Sequence, residues 1–324
     1  MQFKRNNLKS TLANLQWNKY MVYIVFVVVF ILFSITLSDK GFLSSNNLMN
    51  VLRQTAMISI MAVAGTFIIA SGQIDLTVGA VAAMSAMIVS LVLQSTNSIV
   101  LALICGLGFG LLIGAFNGFL VTKLKLPSFL ATMGMMSAIR GTAMWVTDTA
   151  AVPIKNDTFT SIFGIGEVFG ISVLIIWTII FYAIGIVVFN KTPFGRHVLA
   201  TGGNELSATY SGVKTQKIKL AIFIISGVVA AFAGILYAGR MQAGRFSFGD
   251  GDEMSVIAAV VLGGTAMSGG TGSVIGALVG SVLMGLINNG LILGGLTSAQ
   301  QTIVRGLIIV AAVALSNVTQ GKKK

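Results

Sequence analysis

The stretch Gly106-Leu-Gly-Phe-Gly110-Leu-Leu-Ile-Gly114-Ala-Phe-Asn117-Gly118 is apolar at nearly every position and sets a glycine at every fourth residue. It lies within an uncharged run, 98–121, long enough to cross the hydrocarbon core of a bilayer as a helix. A four-residue glycine period leaves a flat strip along one helix face, where another helix can approach closely. A second ladder, Gly272, Gly276 and Gly280, repeats the pattern. Two readings of these strips stand: packing within the chain, or contact with another subunit.

Working outward from that run, the rest of the chain has the same character. Of its 324 residues 55% are hydrophobic and 9% charged, where an average soluble domain carries about 25% charged residues. So few charges cannot cover a water-exposed surface, which excludes a cytosolic enzyme or a DNA-binding domain. The apolar runs are continuous rather than alternating, which excludes a membrane β-barrel. The expectation is an all-α polytopic membrane protein with about ten spans, near 21–38, 51–70, 76–94, 98–121, 128–147, 169–189, 216–238, 254–268, 272–292 and 298–317. The eighth is short for a full crossing. The first follows Lys4, Arg5, Lys9 and Lys19 and has the look of a secretory leader. No small-residue cleavage site follows it, so it reads as an uncleaved span.

The formal net charge of +12 is a matter of topology. With the N-terminus in the cytoplasm, Lys and Arg gather on the inner side, in 1–20, 122–127, 190–219 and at Lys322 to Lys324. Most acids fall outside. That distribution satisfies the positive-inside rule and needs no nucleic-acid partner. Both termini are then cytoplasmic. The chain divides into a cytoplasmic amphipathic N-terminus, 1–20, a transmembrane domain, 21–317, and a basic tail, 318–324. Phe3, Leu8, Leu12 and Leu15 give the N-terminus either a helix on the inner membrane surface or a disordered tail. Cys105 is the lone cysteine and His197 the lone histidine. An internal disulfide, a histidine metal cluster and a Ser-His-Asp site are therefore not expected; the catalytic and metal sets are empty.

Internal similarity links distant spans. Gly114-Ala-Phe-Asn117-Gly118 in span four is echoed by Gly285-Leu-Ile-Asn288-Asn289-Gly290 in span nine. Arg140-Gly141 in span five is echoed by Arg305-Gly306 in span ten. An offset of five spans makes the copies run in opposite directions, the inverted repeat of many transporters, with a substrate path at the repeat interface. Asn117, Asn288, Asn289 and Arg305 are accordingly candidates for that path. Arg140 suits snorkelling near the outer end of its span. Arg305, nearer mid-span, suits lining a path or pairing with a carbonyl. Between spans two and three, Gln73 and Asp75 either form an inner gate or leave Asp75 to cap the third span.

Two glycine-rich loops remain. Gly263-Gly-Thr-Ala-Met-Ser-Gly-Gly-Thr-Gly272 lacks the lysine of a Walker A loop, and no complete Walker A motif occurs, so this chain does not hydrolyse ATP alone. The inner loop 190–215 carries Gly202-Gly203-Asn204-Glu205 through Ser211-Gly212. Gly202 and Gly203 permit a tight turn, Asn204 can cap, Glu205 suits a first helical turn, and Ser211-Gly212 is a stop. A two-turn helix outside the membrane is expected, and taken alone the loop is either a functional contact or a solvated linker.

Ser71-Gly-Gln-Ile-Asp-Leu-Thr-Val-Gly79, Gly202-Gly-Asn-Glu205 through Ser211-Gly212, Ile257-Ala-Ala-Val-Val-Leu-Gly-Gly-Thr265 with Ser268-Gly-Gly270, and Asn288-Asn-Gly290 stand in order along the chain. Together they resemble the ribose-type sugar permeases of bacterial ABC importers, which include xylose, arabinose, galactose and autoinducer-2 permeases. Gln73 and Thr77 depart from the residues common at those positions, which bears on the sugar. The resemblance implies a multi-pass chain in the bacterial cytoplasmic membrane, paired with a second permease copy or paralogue. It implies two separate cytoplasmic ATPase subunits, which hold ATP and magnesium while this chain holds no cofactor, and an extracytoplasmic sugar-binding protein. Gly203, Asn204, Glu205, Ser211 and Gly212 correspond to the family's coupling helix, with Glu205 meeting either backbone groups or a basic residue of the ATPase. Asp250, Asp252 and Glu253 would meet the binding protein or cap span eight. An ion-coupled secondary transporter is the alternative. It would need titratable groups inside the spans, and the acids here are almost all in loops. A membrane enzyme lacks a nucleophile–base pair.

Overall fold

The computed structural model describes residues 17–321. The amphipathic pattern of residues 1–16 and the last three lysines lie outside the described residues. The main helices are α1 (Trp17–Thr36), α2 (Ser45–Ala70), α3 (Val78–Thr96), α4 (Ile99–Thr122), α5 (Ser128–Val146), α7 (Val173–Lys191), α10 (Thr215–Met241), α11 (Asp252–Leu262), α12 (Val274–Leu293) and α13 (Ser298–Gly321). Short helices α6 (Asp157–Thr160), α8 (Pro193–Gly203) and α9 (Glu205–Tyr210) occupy the connections. Two-residue strands form two antiparallel ladders: β1 (Val152–Pro153) with β4 (Ala243–Gly244), and β2 (Glu167–Val168) with β3 (Ile171–Ser172).

Among the described residues, six helices, α2, α3, α4, α7, α10 and α12, are long and apolar enough to cross a membrane. The protein is therefore an all-α, multi-pass membrane protein. The eighth apolar run is the exception to a regular series. Its helix α11 has 11 residues, about 16 Å of rise, roughly half the hydrocarbon core of a bilayer.

Local chemistry sets the helix ends. The Ser44, Ser98 and Ser273 side chains accept from backbone N–H groups three residues on, starting α2, α4 and α12, as N-cap hydroxyls do. Asn97 and Gln242, both left-handed, end α3 and α10. The core gathers around α2, α3 and α10, whose Met57, Ile60, Met61, Met87, Ile235 and Leu236 are fully buried.

The two glycine strips serve packing within the chain. A β-carbon on Gly110 or Gly114 would collide with the backbone of Gly227 or Phe223 on α10. One on Gly276 or Gly280 would collide with Gly263 or Ala259 on and beside α11. The strips thus bring α4 against α10 and α12 against α11 at backbone distance.

Two irregular segments turn into the helix bundle from its two ends. Residues 71–77 join α2 to α3, and Asp75, Leu76 and Thr77 in it are buried. Residues 242–251 join α10 to α11. The second segment meets the start of α3 where Gly249 lies against Gly79, and neither residue has room for a side chain.

Candidate functional site

The bundle end that carries 190–215 holds more structure than the sequence spacing anticipates. Thr192 caps α8, with Pro193 at its first position, and the helix runs unbroken through Gly202 and Gly203. These glycines therefore make no tight turn, which corrects the sequence reading. They permit close approach instead. A β-carbon on Gly202 would collide with the Ala70 carbonyl oxygen and stand 2.8 Å from the Gly270 amide nitrogen. The separate motifs around Ser71, Gly202 and Gly269 are thereby brought to one place.

α9 follows as expected. The Asn204 side chain accepts from the Ser207 N–H at 2.9 Å. Ser211 closes the helix and Gly212 exits at φ +85°, a left-handed conformation that glycine adopts without steric cost. Glu205 has a partner in its own chain: Lys219 Nζ on α10 donates to Oε2 at 2.6 Å. Leu206 and Tyr210, one turn apart on α9, project outward at 71% and 89% exposure. Sequence reasoning passed over both, although an apolar pair at i and i+4 on a short helix between two spans was a readable signal.

Deeper in, Asp75 is the centre of a buried polar network. Its Oδ1 accepts from the Thr77 N–H at 2.9 Å and from the Thr77 hydroxyl at 2.5 Å. Its Oδ2 accepts from Ser226 Oγ on α10 at 2.7 Å. Asn117 Nδ2 on α4 donates to Thr77 Oγ1 at 3.0 Å, and Asn117 Oδ1 is buried without a hydrogen-bond partner. Burial pushes the Asp75 carboxyl above the ordinary carboxylate range, against the hydrogen bonds from Thr77 and Ser226 that pull it down. Thr77, not Asp75, holds the N-cap position of α3, so the carboxylate closes a turn ahead of the helix rather than capping it. Gln73 stays apart, half-exposed, with its amide on the Gly72 carbonyl.

At the opposite end, two arginines address the 242–251 segment. Arg140 Nη1 on α5 donates to the carbonyls of Phe246 and Phe248 at 2.7 and 2.9 Å, and its Nη2 lies 3.5 Å from Asp250. Arg140 is held by protein groups rather than snorkelling. Arg305 lies in the first third of α13, not at its middle, and donates to Asn288 Oδ1 at 3.2 Å. Asn289 exchanges amide hydrogen bonds with Asn47 of α2 at 3.1 and 2.9 Å, a lock between helices rather than a lining of open space. The acidic trio divides. Asp250 is exposed, whereas Asp252 and Glu253 are buried in the first turn of α11. Asp252 accepts from the Tyr237 hydroxyl at 2.6 Å. Burial removes Asp252 and Glu253 from any rim contact and leaves Asp250 alone there.

Among the described residues, no three His, Cys, Asp or Glu side chains form a metal-holding group. The arrangement offers ion pairs, caps and close backbone contacts between separate elements.

The comparisons with known proteins agree with a transport role. Residues 47–313 match the family model described as "Branched-chain amino acid transport system / permease component". The probable ABC transporter permease protein YphD of Escherichia coli (strain K12) is 40% identical over 93% of this chain and 90% of its own. The ribose import permease protein RbsC of Bacillus subtilis (strain 168) is 39% identical over 90% of each chain. The L-arabinose ABC transporter permease protein AraH of Azospirillum brasilense is 34% identical over 95% of this chain and 90% of its own. No solved structure matches the chain. A multi-pass helical chain, similar over nine-tenths of its length to import permeases, is a transport subunit. The chain belongs to the family of permease components of ABC transporters.

Proposed function

We propose that this chain is the permease subunit of an ABC importer that carries a monosaccharide of the ribose or arabinose class. The observation that carries the reading is the near end-to-end similarity to RbsC and AraH, named for ribose and L-arabinose. The family model's description names branched-chain amino acids, but these relatives extend over most of the chain and carry sugar names.

The importer is organised as follows. The ten helices form two inverted halves of five. In support, α4 packs on α10 as α12 packs on α2, and α3 packs on α4 and α5 as α11 packs on α12 and α13. Asn117 beside Asp75 and Asn288 beside Arg305 then occupy corresponding places near the two irregular segments, 71–77 and 242–251. The Arg-Gly pairs do not correspond, because Arg140 and Arg305 both address the segment around residues 246–252. The end with 190–215 faces the cytoplasm, as do both termini, in a bacterial inner membrane. There α9 docks on one of two ATPase subunits, which bind ATP and magnesium. Leu206 and Tyr210 seat in the ATPase, while Asn204, Glu205, Ser211 and Gly212 hold the helix in shape. A second permease copy packs against α5 and α13. Their exposed faces carry Gly134, Ser137, Gly141 and Thr142, and Thr302 and Gly306. The sugar arrives from an extracytoplasmic binding protein at the opposite end, where Asp250 is presented. The Asp75 network, with Gln73 nearer the cytoplasm, forms the inner gate region.

The test is uptake of labelled ribose, arabinose and leucine by vesicles holding the assembled complex. ATP-dependent uptake of a pentose, with ion gradients collapsed, is expected. Uptake driven by an ion gradient without ATP would establish a secondary transporter instead, and ATP-dependent uptake of leucine alone would overturn the sugar assignment.

A further inference from the structure

Where α8 meets the rest of the bundle, three lengths of backbone touch with no side chain between them. Gly270 N–H donates to the Ala70 carbonyl at 2.9 Å. Gly202 lies over that bond, with no space for a β-carbon. Gly269, at φ +82°, would place a β-carbon 2.7 Å from the Gly202 oxygen and 2.9 Å from the Gly72 nitrogen. Gly270, at φ +80°, would place one 2.8 Å from the Gly203 α-carbon. Packed side chains can yield by changing rotamer. Backbone against backbone has no such freedom, and the hydrogen bond adds direction to the contact.

Each of the three lengths leads elsewhere. α8 continues through Asn204 into α9. The turn at Ala70 to Gly72 runs directly into Asp75 and Thr77, which are bonded to Ser226 on α10 and Asn117 on α4. The turn at Gly269 and Gly270 runs into α12, whose Gly276 lies on Gly263 at the end of α11.

We infer that Gly202 is a positioning residue for coupling: it fuses α8–α9, the Asp75 segment and the α11–α12 connection into one rigid junction. A displacement of α9 then reaches both halves of the bundle together, without passing along a single helix. The inference rests on the reading of α9 as the ATPase contact, and it assigns the transmission to Gly202, Gly269 and Gly270.

The test uses the assembled complex in lipid vesicles. Gly202→Ala is expected to lower the ratio of stimulated to unstimulated ATP hydrolysis by about tenfold or more, the scale of ordinary coupling free energies. Gly108→Ala, where a β-carbon meets nothing within 4 Å, is expected to keep the ratio. Normal stimulation in Gly202→Ala overturns the inference. A second measurement leaves the glycines intact. In a Cys105→Ser background, spin labels at Ser207→Cys and Gln73→Cys report the junction, and labels at Ser207→Cys and Phe169→Cys report motion across the bundle. On adding ATP, the first separation is expected to hold within about 2 Å while the second changes by more, as for a rigid element moving against its neighbours. A first separation that changes as much as the second overturns the inference, as does an intact stimulation with neither pair moving. Should Gly202→Ala fail to assemble, the label pairs decide alone. A wild-type complex without ATP hydrolysis overturns the importer reading itself, whereas full stimulation with slipping labels overturns the junction alone.

Discussion

Asp75 and Ser226, far apart in sequence, are joined by a 2.7 Å hydrogen bond inside the bundle. Ser226 lies on a buried face of α10, and Asp75 on an irregular stretch with its own short-range bonds to Thr77. The bond pins that stretch to a long helix. Ser226→Ala would remove the sole side-chain donor to Oδ2 described and leave a buried carboxylate oxygen unsatisfied, at a cost of about 1–3 kcal/mol. The purified variant is expected to unfold at lower temperature in detergent than the wild type. Ser226→Thr, which keeps the hydroxyl, is expected to lie between the two. Equal unfolding temperatures for wild type and Ser226→Ala would mean the pair does not hold the segment.

The Glu205–Lys219 ion pair sets two roles against each other. If Glu205 serves the fold of the 190–215 region, exchanging the charges should preserve function. If Glu205 meets a cation of the ATPase, the exchange should fail. The pair is partly exposed, so its stability contribution is at most about 1 kcal/mol. Glu205→Lys alone is expected to lower stimulated hydrolysis, through repulsion from Lys219 and an adverse charge at the helix start. The double variant Glu205→Lys with Lys219→Glu is expected to recover most of it. Failure to recover would reassign Glu205 to the ATPase surface.

Much of this architecture is legible in the residues, and the illegible part has a common cause. Apolar runs of about twenty residues announce membrane helices because length and hydropathy are local properties. The ladder at Gly106, Gly110, Gly114 and Gly118 announces a close contact for the same reason. Its partner, α10, is not written in the ladder, since contact depends on where a distant segment lands. Asn204 reads as a cap and behaves as one, because capping involves neighbours three residues away. Gly202 and Gly203 read as a turn and prove helical, because the demand on Gly202 comes from Ala70 and Gly270 rather than from local geometry. Asp252 and Glu253 read as a surface cluster because acids are seldom buried. The Tyr237 hydroxyl that receives Asp252 lies on another helix, and no local pattern shows it.

Arg140 holds the 242–251 segment through two carbonyls and lies near Asp250. Charge-assisted bonds of this kind contribute about 1.5–3 kcal/mol each, while the exposed Asp250 adds little. Lysine would keep the charge but lose the planar fork. Hydrogen exchange of the amides in 245–251 is therefore expected to quicken by about tenfold or more in both Arg140→Ala and Arg140→Lys. Asp250→Asn should leave it nearly unchanged. Rapid exchange in Asp250→Asn and slow exchange in Arg140→Lys would show that the ion pair, not the carbonyl clamp, secures the segment.

Orientation can be tested without any assumption about substrate. Lysines concentrate at the end that holds 190–215, including the exposed Lys123, Lys125, Lys191, Lys214 and Lys217. Basic residues are retained on the cytoplasmic side during insertion, so that end is expected inside. The choice of reporter follows from burial. Thr160, in the long connection at the opposite end, is 3% exposed and would be shielded from a reagent on either side, whereas Phe169 in the β2–β3 turn is fully exposed. In cells carrying a Cys105→Ser background, Phe169→Cys is expected to react with a membrane-impermeant thiol reagent added outside. Lys123→Cys, in the loop beside Ile74 and Ser128 that shares the 190–215 end, is expected to react only after the cells are permeabilised. The control matters because α4 and α5 are joined by so short a loop: labelling at 123 after permeabilisation shows that the site is open and that sidedness alone protected it. The reverse pattern would place Leu206 and Tyr210 outside the cell, out of reach of any ATPase, and would remove the physical basis for coupling through α9.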